Sequence, residues 1–307
     1  MKKKMFLLSL WLIPYYLTAQ NLNYDIYLID IKKPEVGNIT FEKAVNISNH
    51  AGYDNQPSFT LDGNKILYTA MTKDSTTDIQ IYNIVKKSHE KMKSSPKTSE
   101  YSPTNFVWQT NSGRNNEYYL TVTVEEDKST QRIYRHPLKG GKPTLYIAEV
   151  DSVGYFGKLM SMQIACFILS SKNEMAHELR ITDTKTQKEI FIDDSIGRCI
   201  RLSPDSSAIV YVKKKADGKH KLMRYNFHNK SITELAETVE GAEDFLFYDN
   251  MRIWMAKDNV LYEYWMAAKF PHWSEKKEFS ETNSHLKTIT RMNLSPDKTK
   301  LVLVAED

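Results

Sequence analysis

The sequence is short of the residues that most often announce chemistry. Its 307 residues include 2 Cys, 8 His, 11 Gly and 10 Pro. Cys166 and Cys199 are not at metal-ligand spacing and no His-x-x-x-His pair occurs, so the common zinc patterns are excluded. There is no Gly-rich phosphate loop, which removes the usual nucleotide-binding readings. No Gly-x-Ser-x-Gly elbow occurs, which argues against an α/β-hydrolase. Ser94-x-x-Lys97 matches a Ser–Lys pattern formally, but it sits in the polar, Pro-containing "KMKSSPKTSE" without the rest of that catalytic set, and reads as a loop. The cysteines lie in strand-like apolar text ("QIACFIL", "GRCIRL"). They are expected to be two small buried hydrophobes rather than a disulfide.

Long apolar runs are absent too, except at the N-terminus. "MKKKMFLLSLWLIPYYLTAQ" has three lysines, an apolar stretch from Met5 to about Leu17, and small residues before Gln20. This is the pattern of a secretory signal, with residues 1–19 removed between Ala19 and Gln20. The run is short for a bilayer span and is interrupted by Pro14, and no Cys near the cut supplies a lipid anchor. The mature chain is therefore expected in the periplasm or outside the cell, with no membrane span. The formal charge of +4 falls to +1 once the three lysines of the first 20 residues are gone. A nearly neutral chain gives little reason to expect nucleic acid or an anionic membrane as partner. The basic stretch "KKKADGKHK" (Lys213–Lys221) reads as a solvated hairpin turning at Asp217-Gly218.

What the sequence does have is a repeat. "SFTLDGNKILY", "RLSPDSSAIVYV" and "NLSPDKTKLVLV" each place a turn before an apolar strand. Taking Phe59, Leu202 and Leu294 as reference points, weaker copies fall at Phe106, Lys158 and Phe247, with steps of 47, 52, 44, 45 and 47 residues. A second phrase recurs six times in alternation with the first: "DIYLIDI", "DIQIYNI", "RIYRHPL", "ELRITDT", "KLMRYNF" and "NVLYEYW". A period in the mid-forties is that of a four-stranded propeller blade. The chain opens on the second phrase and ends on the first, so the two ends are predicted to complete one shared blade and close a ring of six. The fold class is thus all-β, a six-bladed β-propeller of four-stranded antiparallel blades occupying residues 20–307. Asp62-Gly63 fits a tight hairpin with positive φ; Pro-Asp at 204–205 and 296–297 fits a more ordinary turn.

The phrases "GYDNQPSFTLDGNKILYTA", "EYSPT", "IGRCIRLSPD" and "TRMNLSPDKTKLVLVA" resemble WD-repeat-like propeller repeats of the TolB type, in a short exported bacterial form. Because the first strand begins at Tyr24, the α/β domain that precedes the propeller in TolB is not expected. The resemblance implies a six-bladed propeller with a binding or scaffolding role more often than catalysis.

In a propeller the segment leading into each innermost strand lies at one mouth of the central channel. Here those segments are polar. They are predicted to bring Asp54, Glu100, Tyr101, Tyr155, Arg198, Glu243, Asp244 and Arg291 around one opening. As a functional set they would bind a small polar ligand or a peptide end, the arginines holding a carboxylate. As a structural set they would pair with one another between blades. The tyrosines, Tyr53 among them, would then simply pack between blades. "FPHWSEK" (Phe270–Lys276) is either an exposed aromatic loop suited to a protein partner or a loop folded over its blade edge. The reading carried forward is a monomeric, non-catalytic binding or scaffold module without a cofactor, for an envelope protein, a peptide or a small polar ligand. The competing reading is a lactonase- or lyase-type propeller enzyme with a channel metal held by residues such as Asp54, Glu100 and Asp244. Arg198 and Arg291 oppose such a cation. A third is an accessory subunit of an envelope complex, which would need a large apolar patch.

Overall fold

A computed structural model describes residues 23–33, 38–48, 52–72, 76–91, 97–109, 115–138, 141–159, 162–279 and 286–306. The signal segment and Ser94 lie outside the described residues.

Six antiparallel sheets surround one axis. Blade 1 is built from Asp54–Phe59, Lys65–Met71, Thr77–Asn83 and Ser88–Lys91, and blade 2 from Ser99–Gln109, Asn115–Val124, Gln131–Pro137 and Thr144–Leu145. Blade 3 is Val153–Lys158, Gln163–Ile168, Glu178–Asp183 and Glu189–Asp194, and blade 4 is Ile196–Leu202, Ala208–Lys213, Lys221–Asn226 and Ile232–Glu237. Blade 5 comprises Phe245–Phe247, Arg252–Lys257, Val260–Trp265 and Trp273–Glu278. The reference residues of the turn phrase fall at or near the ends of the innermost strands, and the second phrase forms the third strand of every blade.

Blade 6 closes the ring as the sequence predicts. Thr288–Leu294 and Lys300–Glu306 come from the C-terminus, and Tyr24–Lys32 from the N-terminus. The joining register runs without a break from Tyr24 opposite Glu306 to Asp30 opposite Lys300, where the two side chains also form an ion pair. The outer edge is broken into two short pieces, Thr40–Phe41 and Val45–Asn46, both paired to the N-terminal strand.

Apolar clusters fill all six interfaces between blades, because second strands such as Lys65–Met71, Ala208–Lys213 and Lys300–Glu306 are buried on both faces. Trp254, fully buried between blades 5 and 6, stacks on Tyr248 at 4.4 Å and donates its indole N–H to Glu263 at 2.8 Å. The interface between blades 1 and 2 is the exception in composition. Among the described residues its buried apolar cluster is Leu67, Ile79, Ile81 and Tyr119, and polar side chains, Asp78, Glu100, Thr121, Thr123 and His136, are buried beside it. Both cysteines are free and buried, Cys166 in the cluster between blades 2 and 3 and Cys199 in that between blades 4 and 5.

The turn chemistry is more uniform than the sequence suggests. Gly63, Ser206 and Lys298 follow the turn Asp in their three copies, and all are left-handed, with φ of 71°, 57° and 59°. The Pro-Asp turns are thus the same turn as Asp-Gly, not a different one. Its cause is the Asp side chain. Asp297 accepts from Ser295 Oγ at 2.6 Å, Thr299 N at 3.0 Å and Thr299 Oγ1 at 2.8 Å, and Asp205 accepts from Ser203 Oγ, Ser207 N and Ser207 Oγ in the same way. These bonds offset the cost of a left-handed residue that is not glycine. They also hold both carboxyls down to about 2, the serine hydroxyl bond contributing most. Replacing Asp297 with Ala is expected to cost about 1 kcal/mol, read as a lower midpoint in thermal melts at pH 7. Asp297→Asn, which keeps an acceptor, should lose less.

Candidate functional site: the channel

Alternate residues of the innermost strands point at the axis, and this places arginines from blades 4 and 6 in one space. Arg201 of blade 4 donates to Phe245 O at 3.2 Å and to Met292 O at 3.0 Å, tying blades 4, 5 and 6 together. Arg198, on the same strand, donates to Thr290 O at 2.9 Å and stands 3.9 Å from Glu243. Its buried Nε has no partner among the described residues. Arg291 reaches across the axis from blade 6 to blade 3, donating to the Tyr155 hydroxyl at 3.1 Å with its guanidinium 5.1 Å above that ring.

Two carboxylates face these cations. Asp244 lies 3.8 Å from Arg201 and 4.0 Å from Arg291, and its buried Oδ1 has no hydrogen-bond partner among the described residues. Glu243 is bound to Lys214 at 2.7 Å. Burial pulls its carboxyl upward, but Lys214, with help from Arg198, outweighs this and holds it below the ordinary carboxylate range. Three guanidiniums therefore share the axis with Asp244, while Glu243 is taken up by Lys214. Tyr53 completes the rim. Its hydroxyl is pushed up to about 12 by burial, against the opposing pull of Arg291, so it remains a donor at neutral pH. The space itself is two adjoining cavities. One of about 230 Å³ lies among blades 4, 5 and 6, and one of about 110 Å³ lies on the axis among residues of all six blades. Arg198, Asp244 and Arg291 line both. Their chemistry suits a carboxylate or similar planar anion, which guanidiniums bind in bidentate fashion.

Of the eight residues predicted for the rim, Tyr155, Arg198, Glu243, Asp244 and Arg291 line these cavities. Tyr101 is half-buried and packs against the cluster between blades 2 and 3, close enough to Tyr53 to influence its hydroxyl. Asp54 and Glu100 do not belong to the channel. Each sits just before a bulge, at Gln56 and Ser102, where φ is 56° and 54°. Ahead of that bulge the side chain turns towards the neighbouring blade. Asp54 is buried near Tyr68 and Asp25 between blades 6 and 1, and Glu100 is buried beside Asp78 and His136 on the blade 1 side of blade 2. The acidic set imagined for a channel metal is thus dispersed, and no cluster of three or more His, Cys, Asp or Glu arranged for a metal occurs among the described residues. Arg201 and Lys214 are contributors that sequence reasoning missed. Arg201 lies three residues beyond Arg198, past the entry segment Ile196–Cys199, and Lys214 follows the second strand of blade 4.

The loop at Phe270–Lys276 divides between its two readings. Trp273 folds back, packing on Tyr264 at 5.2 Å and donating to Glu237 O at 2.7 Å, while Phe270 is exposed.

No family model and no curated protein matches the chain. Solved structures do. A putative TolB from Agrobacterium tumefaciens superposes with a TM-score of 0.66 at 13% identity, covering 93% of this chain and 99% of that one. TolB from Acinetobacter baumannii gives 0.53 at 10% identity, over 93% of this chain and 64% of that one. Oligogalacturonate lyase from Vibrio parahaemolyticus gives 0.52 at 12% identity, over 93% and 97%. At these identities the likeness concerns the fold, which is that of a TolB-like six-bladed β-propeller.

Proposed function

We propose that this chain is an exported binding module whose channel mouth receives a carboxylate, either the C-terminal end of a peptide or a small acidic ligand. The carrying observation is the convergence of Arg198, Arg201 and Arg291 on an axis where, among the described residues, Asp244 faces them without a lysine partner. Arg201 gives two donors to backbone carbonyls of blades 5 and 6 and Arg198 one, so Arg198 and Arg291 are taken as the main binding groups, with the Tyr155 and Tyr53 hydroxyls as additional donors. The TolB-like fold supports a scaffold with a ligand at its mouth. The N-terminal pattern supports export, with residues 1–19 removed and residues 20–307 left as one propeller. No helix among the described residues is long and apolar enough to cross a membrane.

A second reading has one observation in its favour. An oligogalacturonate lyase shares the fold over nearly its whole length, and a cationic, tyrosine-rimmed channel suits an acidic sugar. Calorimetry separates the two. Titrate a short peptide with a free C-terminus, the same peptide amidated, and a galacturonate oligomer, and follow the last by the ultraviolet absorbance of an unsaturated product. Binding of the free-carboxylate peptide alone supports the module, and product formation supports the lyase. Arg291→Gln should weaken binding at least tenfold, the cost of losing one charged hydrogen-bonded pair, while the melting temperature changes little. Loss of melting temperature without loss of affinity would assign these arginines to interblade pairing, and indifference to amidation would remove the carboxylate from the proposal.

A further inference from the structure

The polar interface between blades 1 and 2 opens into a cavity of about 360 Å³ on blade 2, which shares no lining residue with the channel. Its inner wall carries Glu100, Thr123 and His136, all buried, and its outer wall carries Glu125, Tyr134 and Lys142. Strand register explains the grouping. Glu100 lies opposite Thr123 across the first two strands, and the side chains of Thr121 and His136 lie on the same face.

The inner wall is left unfinished in a specific way. Glu100 Oε2 has no hydrogen-bond partner among the described residues although its side chain is 2% exposed. His136 Nε2 is engaged with Thr121 Oγ1 at 2.8 Å, and Thr121 with Thr123 at 2.9 Å. His136 Nδ1 stands 3.9 Å from Glu100 Oε1. That is too far for a direct bond, but a single donor group placed between them reaches both. Among the described residues no cation pairs with Glu100; Arg132, on the same face opposite Thr123, reaches Glu125 instead. Asp78 of blade 1 is the next charged group behind Glu100, and Tyr119 flanks it, stacked on the His136 ring at 4.6 Å. Of the outer groups, Glu125 accepts from the Tyr134 hydroxyl at 2.9 Å and faces Arg132 at 3.9 Å, while Lys142 is exposed at the mouth.

We infer that this cavity is a binding site for a small organic cation with a primary ammonium head, seated between Glu100 and His136. An ammonium has three donors and no acceptor. The inner wall offers the Glu100 carboxyl, the His136 nitrogen that faces it and the Thr123 hydroxyl, and Asp78 behind Glu100 adds a second acidic group on the same side. Burial, reinforced by Asp78, pushes the Glu100 carboxyl up to about 8, and burial pushes His136 down to about 4. Near neutral pH the empty site thus holds a proton on Glu100 and a neutral imidazole, and ammonium binding releases that proton to solvent. The site is independent of the channel reading, since the two share no residue.

The test is isothermal titration of the full chain with n-butylamine, and with n-butanol as the uncharged analogue, at pH 7.0 and 8.5 in two buffers of different ionisation enthalpy. Butylamine should bind and butanol should not. Affinity should rise about eightfold between the two pH values as Glu100 loses its proton, with proton release visible at pH 7.0. Glu100→Gln, which preserves size and hydrogen bonding, should abolish both the binding and the proton release, while its thermal melt reports that the fold is intact. Equal binding of butanol, unchanged butylamine affinity in Glu100→Gln, or no butylamine binding at either pH overturns the assignment.

Discussion

Leu303→Asp is expected to abolish cooperative unfolding at 37 °C, the largest effect of any single change considered. Leu303 is fully buried in the middle strand of blade 6, opposite Tyr27 of the N-terminal strand on one side and Met292 on the other. It belongs to the cluster that includes Trp254 and Phe279 of blade 5. An uncompensated carboxylate there costs more than about 4–5 kcal/mol once the lost leucine burial is added, a large part of the total stability of an ordinary domain. The particular consequence is topological. Blade 6 is the one sheet assembled from both chain ends, so disrupting it releases the N-terminal strand and leaves faces of blades 1 and 5 bare. Circular dichroism melts should show loss of a single transition, and limited proteolysis should cut first near residues 24–48. Val45→Asp, at an exposed position of the same blade's outer edge, is the control and should melt within about 0.5 kcal/mol of the parent chain. A sharp, parent-like melt for Leu303→Asp would mean the ring does not depend on this closure.

The closure was legible in the sequence because it rests on two long-range regularities, a period and a pair of complementary ends. Neither needs a side-chain orientation. The site was legible only in part, and the failures have a common physical cause. Inward and outward positions alternate with a period of two, so one extra residue reverses the assignment of everything before it. Bulges at Gln56 and Ser102 do this in blades 1 and 2 and send Asp54 and Glu100 between blades. No glycine marks either position, so the sequence carries no flag. The bulges at Ile196–Ile200 and Ile289–Arg291 leave Arg198 and Arg291 facing the channel, where they were expected. His136 was invisible for another reason. A lone histidine in a strand carries no signal until the register sets it on the same face as Glu100 and Thr121. The Asp-centred turn was under-read because its hydrogen bonds, not a glycine, stabilise the left-handed residue.

The consequence of that displaced glutamate is a pH dependence that runs opposite to the usual one for carboxylates. A salt-bridged carboxyl titrates low and loses stability in acid. Glu100 instead titrates near 8 in the folded chain, against an ordinary 4.5. Between those values the folded state keeps a proton that the unfolded state has lost, so stability falls as pH rises. The gap corresponds to about 5 kcal/mol at 1.36 kcal/mol per pH unit. His136 works in the other direction. Its ordinary value of 6.5 drops to about 4, so between about 4 and 6.5 the unfolded state takes up the extra proton and stability rises with pH. The two contributions largely cancel from about pH 4.5 to 6.5. Above 6.5 only Glu100 still titrates, and the chain should lose about 2 kcal/mol between pH 6.5 and 8, a fall of a few degrees in melting temperature. Glu100→Gln cannot ionise. Its melting temperature should be nearly flat over that interval and should exceed that of the parent chain at pH 8.5, so removing a charged residue stabilises the protein. His136→Asn should uncover the Glu100 slope at lower pH, down to about 4.5. Parallel melting profiles for the parent chain and Glu100→Gln between pH 6.5 and 8.5 would show that Glu100 is ionised throughout, and that Asp78 and its surroundings do not hold a proton there.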